Sequence, residues 1–261
     1  MGRITFITAF KGGVGKTTVT ANIASCLAAS GKRVLVVDGD FGMRCMDMVL
    51  RLENDVLFDC SDVLRGDCDF DSAVAHPFQN LDFLPAPMRF IEEKIPLECY
   101  RRVFADAKER YDAVLIDSGA DMTEHYKGFL SVADQAVVVS IHQSLSVRAA
   151  EKAARILAGA NLLSTRLVIN GYHKSAADDG TLPDAIDIIR ASSLQLLGIV
   201  PFDEHLPIDQ ESGLLSLSGD KNGRAKPYEA AFSNIAHRLC GEHIPLFQRV
   251  YRTSKRKSYL N

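Results

Sequence analysis

A short β-branched run, ITFITA (4–9), leads directly into FKGGVGKTT (10–18), where Gly12, Gly13 and Gly15 are followed by Lys16 and Thr17. Few folds accept such a stretch. The run suits a strand, the glycines let the backbone wrap tightly, and Lys16 to Ser30 is long enough for a helix. Strand, loop and helix must therefore follow one another without a break. A loop of this build turns the N–H groups of residues 12–18 inward and ends on the positive end of a helix, which suits a chain of phosphates. Two positions depart from the pattern G-x-x-x-x-G-K-[ST]. Phe10 stands where the first glycine belongs, and Lys11 is one lysine more than the pattern needs.

Further apolar runs follow at 33–38, 81–85, 113–117, 135–141, 166–170 and 197–200, separated by longer segments such as Leu97 to Arg110. Runs that are apolar at every position suit strands covered on both faces, and the long spacers suit crossover helices. The expected fold is α/β: a doubly wound, mainly parallel sheet flanked by helices. No repeat, Pro-rich linker or shift of composition divides the chain, so one domain is expected over 1–243, with a separate tail over 244–261. The segments 171–180 and 216–227, rich in Gly, Asp and Ser, are expected to be loops.

In an open parallel sheet, ligands lie beyond the carboxyl ends of the strands. At the end of the first run, Gly12, Gly13, Val14, Gly15, Lys16, Thr17 and Thr18 form the candidate triphosphate cradle. Lys16 would reach the β- and γ-phosphates of ATP, and the Thr17 hydroxyl would complete a Mg2+ shell. Asp117 ends the fourth run, where a carboxylate acting through the metal's water belongs; its alternative is a helix N-cap. Asp38 and Asp40 end the second run two residues apart, hence on one face of an extended chain. They could share the metal and γ-phosphate region with Asp117, with Asp40 also the candidate to orient the attacking water. A turn role beside Gly39 is the alternative.

The combination of KGGVGKTT with DGDFGMRCMD (38–47), LIDSGAD (115–121) and a later strand ending VIN (168–170) resembles the deviant Walker A ATPases of the MinD/ParA family. The similarity runs through nearly the whole chain and includes LPAP (84–87), SVRAAEKAARIL (146–157) and GIVPFDEHL (198–206). It is strongest to the branch that positions the bacterial division site. The resemblance implies an ATPase that is slow without an activating partner. It also implies a homodimer when ATP is bound, and activating and effector proteins of the division-site system. Within it, Lys11 serves as a catalytic residue, reaching the phosphates held by the partner subunit; a solvated loop lysine is the alternative. Asn170, Pro201 and Asp203 frame the adenine, Asn170 having both a donor and an acceptor. The family usually has Ser-Pro-Ala-Gly after the position of Asp117 and Asn-Pro near residue 142. Here Ser118-Gly119-Ala120 and Ile141-His142-Gln143 stand instead. These departures bear on the choice of partner.

Charge decides among relatives. The net charge is −3, yet Leu246 to Asn261 carries five basic residues and no acidic one, so the rest stands at −8. An acidic body argues against the DNA-binding face of a partitioning ATPase, and no specific nucleic acid is expected. In the tail, Leu246, Phe247, Val250 and Tyr251 fall on one helical stripe, with Arg249 and Arg252 on the other side and Pro245 at the start. A basic amphipathic helix of this kind suits an anionic membrane surface. Packing of Leu246 and Phe247 onto the domain is the alternative. The six cysteines show no C-x-C or C-x-x-C spacing, and none follows Asp117 closely. That speaks against an iron–sulfur reductase or a metal-inserting relative, and for reduced thiols. The opening apolar run is too short for a signal peptide or a membrane span, so the expected place is the cytoplasm, peripheral on the inner face of the cell membrane. A ParA-type partitioning or flagellar-placement ATPase, and a nucleotide-gated scaffold with negligible turnover, remain as alternatives.

Overall fold

The computed structural model describes residues 1–52, 57–89, 94–213, 215–216, 225–247 and 250. Its strands are β1 (Arg3–Thr8), β2 (Val34–Gly39), β3 (Ala75–Phe78), β4 (Leu81–Leu84), β5 (Ala113–Ser118), β6 (Gln135–Ser140), β7 (Thr165–Tyr172) and β8 (Gln195–Pro201). The helices are α1 (Lys16–Ala29), α2 (Met46–Leu50), α3 (Cys60–Arg65), α4 (Phe70–Ala73), α5 (Leu97–Arg110) and α6 (Glu124–Leu130). They continue with α7 (Ser144–Gly159), α8 (Lys174–Asp178), α9 (Ala185–Ser192), α10 (His205–Glu211) and α11 (Pro227–Leu239).

The strands form one sheet in the order β3-β4-β2-β5-β1-β6-β7-β8. Every neighbouring pair is parallel except β3 with β4. Each of the seven apolar runs is a strand. Their side chains alternate between two cores, one on each face: Val34 and Val36 of β2 enter one, Leu35 and Val37 the other. The first core is closed by α1 and α11, through Val19, Ile23, Leu27, Phe232 and Ile235. The second is closed by α5, α6 and α7, through Tyr100, Phe104, Tyr126, Phe129 and Leu157. Burial on both faces is what makes these strands apolar at every position.

β3 was not expected. Its sequence AHPF is short, interrupted by His and Pro, and only partly buried, and it pairs antiparallel at the sheet edge, where Pro77 costs no central ladder bond. The expected loop over 171–180 is in part the end of β7 and the helical turn α8. Of the expected loop over 216–227, residues 217–224 lie outside the described residues, and Pro227 is already the first residue of α11.

β1 lies between β5 and β6, so the strands reached from it run off to opposite sides. This opens a crevice at its carboxyl end. The chain after α11 returns to the body. Arg238 donates from Nε to the Ile244 carbonyl at 2.7 Å, and from Nη1 and Nη2 to the carbonyls of Leu197 and Pro245 at 2.6 and 2.5 Å. Val250 is buried in the first core.

Candidate functional site

Between β1 and α1 the loop bends through Gly13 and Gly15, at φ +73° and +86°. Gly15 is required twice over: the left-handed backbone disfavours a side chain, and a Cβ there would stand 2.3 Å from Asn170 Nδ2. That amide, at the end of β7, donates to the Val14 carbonyl at 2.9 Å and ties the loop across the crevice. Lys16 and Thr17 open α1, with Lys16 only 9 % exposed.

β2 and β5 are neighbours in register, Asp38 opposite Asp117, so the two carboxylates reach the crevice side by side. Asp117 accepts from Thr17 Oγ1 at 2.7 Å and from Thr20 Oγ1 at 3.2 Å. Burial pushes its carboxyl up to about 6, against the opposing pull of the Thr17 hydrogen bond and of Lys16. Burial, and then the charge of Asp117, push Asp38 further, to about 8. The two oxygens of Asp38 accept the N–H groups of Asp40 at 3.0 Å and Met46 at 3.1 Å. Asp38 therefore shapes the backbone of 40–46 rather than facing a metal, a correction to the expected sharing of the phosphate region.

Asp40 remains at the mouth, half-buried, and burial raises its pKa while Lys16 opposes the rise. Gly119 makes room for it, since a Cβ there would meet Asp40 Oδ1 at 3.0 Å. Phe41 then anchors the segment, its ring 4.5 Å from that of His125 and 5.7 Å from that of Phe129. Lys11 is half-buried and has no hydrogen-bond or ion-pair partner among the described residues. Phe10, at the missing-glycine position, packs 5.6 Å from the Tyr126 ring with Lys152 over its face. The glycine is dispensable here because residue 10 points into an aromatic contact.

A cavity of about 480 Å³ adjoins the loop, lined by Gly13 to Gly15, Thr18, Asn170, Pro201 and Asp203. Asn170 Oδ1 is buried there without a partner. Asp203 is already engaged, accepting the His205 N–H at 2.9 Å. The same cavity holds residues that sequence reasoning missed as site residues, His142, His173 and Phe202. The His173 ring stacks on Phe202 at 3.9 Å and lies nearly parallel to His142 at 5.6 Å. The one signal was His142 replacing the usual Asn-Pro.

In the tail, Leu246 and Phe247 lie in an exposed turn, whereas Val250 is buried. Arg249, Tyr251 and Arg252 lie outside the described residues.

The donor set can be tested for fit to a magnesium–nucleotide. Because the hydrogen of the Thr17 hydroxyl is taken by Asp117, the oxygen keeps lone pairs for a cation, and behind it stands a carboxylate whose pKa burial raises. The residues fit.

Residues 2–166 match the model of the AAA domain family. The septum site-determining protein MinD of Bacillus subtilis is 35 % identical over 94 % of this chain and 92 % of its own length. In the MinC:MinD cell division complex of Aquifex aeolicus, a 31 % identical chain superposes with TM-score 0.84 over 94 % of this chain and 98 % of that one. The septum site-determining protein MinD of Pyrococcus horikoshii, solved with Mg-ADP, is 26 % identical with TM-score 0.77, over 92 % and 96 %.

Proposed function

This chain belongs to the septum site-determining MinD family of AAA-domain ATPases, and we propose that it works as an ATP-gated dimerising switch in division-site placement. The observation that carries the reading is the Thr17–Asp117 hydrogen bond at the mouth of a glycine loop that also presents Lys16.

The residues divide the work. The N–H groups of 12–18 and the Lys16 ammonium hold the triphosphate, and Asn170 and Pro201 border the base. Thr17, backed by Asp117, would hold the Mg2+ that accompanies the nucleotide, which would supply charge neutralisation at the phosphates. Asp40, at the crevice mouth with no hydrogen bond to its carboxylate among the described residues, orients the attacking water. Lys11 completes the charge around the phosphates of a second copy. Exposed Met43, Met122 and Leu145, in the segments after β2, β5 and β6, give that copy an apolar rim at the same end of the sheet. No helix among the described residues is long and apolar enough to cross a membrane. We therefore assign membrane residence to the basic tail of two paired chains, each holding weakly and together firmly. The rate is slow until an activating protein meets the dimer.

ATP turnover, measured with Mg2+ and anionic vesicles for wild type and Asp40→Ala, tests the reading. Turnover in wild type that is lost in the variant, with ATP binding kept, is expected. Equal inactivity of both would leave a nucleotide-gated scaffold in place of an enzyme.

A further inference from the structure

A second cavity, of about 180 Å³, lies at the amino ends of the central strands, at the opposite end of the sheet from the nucleotide crevice. Arg3 opens β1, Gln135 opens β6 in register with Thr5, and Leu239 and Cys240 close the side at the end of α11. Gln135 is 3 % exposed. Its Nε2 donates to Thr5 Oγ1 at 2.9 Å, while its Oε1 has no partner among the described residues. A buried amide oxygen left bare is costly, so this one is placed for a donor that the described chain does not supply. Positive charge gathers at the same place. Arg3 and Lys32 line the cavity, and neither side chain makes a hydrogen bond or ion pair among the described residues. Arg166 stands close by: burial, and then the charge of Arg3, lower its pKa. Burial raises the pKa of the Cys240 thiol and Glu242 adds to the rise, while Lys32, Arg3 and Arg166 all pull it back. The nearby acids are engaged, Asp112 with Arg33 at 3.1 Å and Glu242 with His237 at 3.0 Å.

The cavity therefore asks for two things on one molecule: an anion for the cations, and a hydroxyl or amine for Gln135 Oε1. Sites for drug-sized ligands run to about 300–1,000 Å³, so the occupant is small. A phosphate ester of a short polyol meets both demands. We propose that this cavity binds glycerol phosphate, its phosphate held by Arg3 and Lys32 and a glycerol hydroxyl donating to Gln135 Oε1, as the free ester or as the headgroup of an anionic lipid. No crevice residue takes part, so the site stands apart from the ATP reading. Its wall is the end of α11, where Arg238 also holds the carbonyls of Ile244 and Pro245 at the root of the basic tail.

Cys240, exposed and lining the cavity, reports its occupancy. The test is the rate of Cys240 alkylation by iodoacetamide in the full chain, read by mass spectrometry while glycerol 3-phosphate or inorganic phosphate is titrated. The readout is local, so phosphate bound in the crevice does not disturb it. Cys99, half-buried on α5, is the internal control, and the buried Cys26 and Cys60 stay unlabelled as long as a variant is folded. Glycerol 3-phosphate is expected to slow Cys240 saturably and leave Cys99 unchanged, with sodium chloride of equal ionic strength giving no protection. Inorganic phosphate, which lacks the glycerol hydroxyl, should need about fivefold more for the same protection, the worth of one hydrogen bond. Gln135→Met should bring the two ligands level, and Arg3→Gln combined with Lys32→Gln should abolish protection by both. Vesicles of phosphatidylglycerol and of phosphatidylserine at equal charge separate the sources. Stronger protection by phosphatidylglycerol supports the site with a lipid headgroup in it; protection by the soluble ester alone supports it with the free ester. The proposal is overturned if glycerol 3-phosphate and phosphatidylglycerol both fail to protect Cys240, or if protection survives in the Arg3→Gln, Lys32→Gln chain.

Discussion

Lys16 is 9 % exposed at the start of α1, and Lys11, five residues earlier, is half-buried with no partner among the described residues. In the function proposed above, Lys16 serves the phosphates of its own chain and Lys11 those of a neighbour. Lys11→Ala should keep ATP binding and lose about 100-fold in turnover, the scale for removing one positioned charge or donor. Wild-type turnover per chain should rise with protein concentration, and a concentration-independent rate would contradict the shared site. The loop itself, Asp40 and Asp117 are readable from the sequence because each is fixed by its place at the end of an apolar run. Asp38 was misread, since nothing in DGD shows that its oxygens turn back to the N–H groups of Asp40 and Met46. His142 was unreadable for a related reason: its meaning comes from the strand beside it. Asp38 also gives a pH prediction. Its folded pKa, about 8, lies above the ordinary carboxylate value, so folding binds its proton more tightly. Its contribution is complete below about pH 4 and is lost as pH rises through about 8. The melting temperature of the nucleotide-free protein should fall between pH 6 and pH 9, and Asp38→Asn should flatten that slope in a calorimetric pH series.

At the scale of elements, β1, the glycine loop and α1 form one unit, braced from β5 by Asp117 and from β7 by Asn170. Gly15→Ala strikes both the left-handed backbone and the Asn170 brace. It should cost about 1–3 kcal/mol in thermal unfolding and abolish saturable ATP binding. Unimpaired binding in this variant would mean that the loop does not need the shape described. Strands were legible where both faces are covered, because burial then dictates every residue. β3 escaped because an edge strand of four residues, one of them Pro, has no such constraint. The segment after β2 is shaped by Asp38 below it and by Phe41 against His125 and Phe129.

Across the whole molecule, a sheet with a core on each face carries the crevice at one end, and the chain leaves α11 to lay Val250 back into the first core. Deletion from residue 246 would therefore confuse loss of a tail with damage to the body; a cut after Val250 separates them. With that chain, sedimentation on anionic vesicles should show ATP-dependent recruitment of wild type, none with ADP, and loss in the truncated form. Equal sedimentation with both nucleotides would sink the switch. The tail could be flagged from sequence by its charge, but its root could not, because the carbonyls of Ile244 and Pro245 are held by Arg238, a contact distant from any motif.

That root has a mechanical consequence. Arg238 clamps the carbonyls of 244 and 245 to α11, Val250 is pinned beneath, and α11 shares its core with α1, whose first residue is Lys16. Tension applied beyond Val250 does not stretch a free leash. It would bear on α11, which packs in one core with the helix that opens on Lys16, so under the proposed function a pull on the tail would reach the nucleotide site.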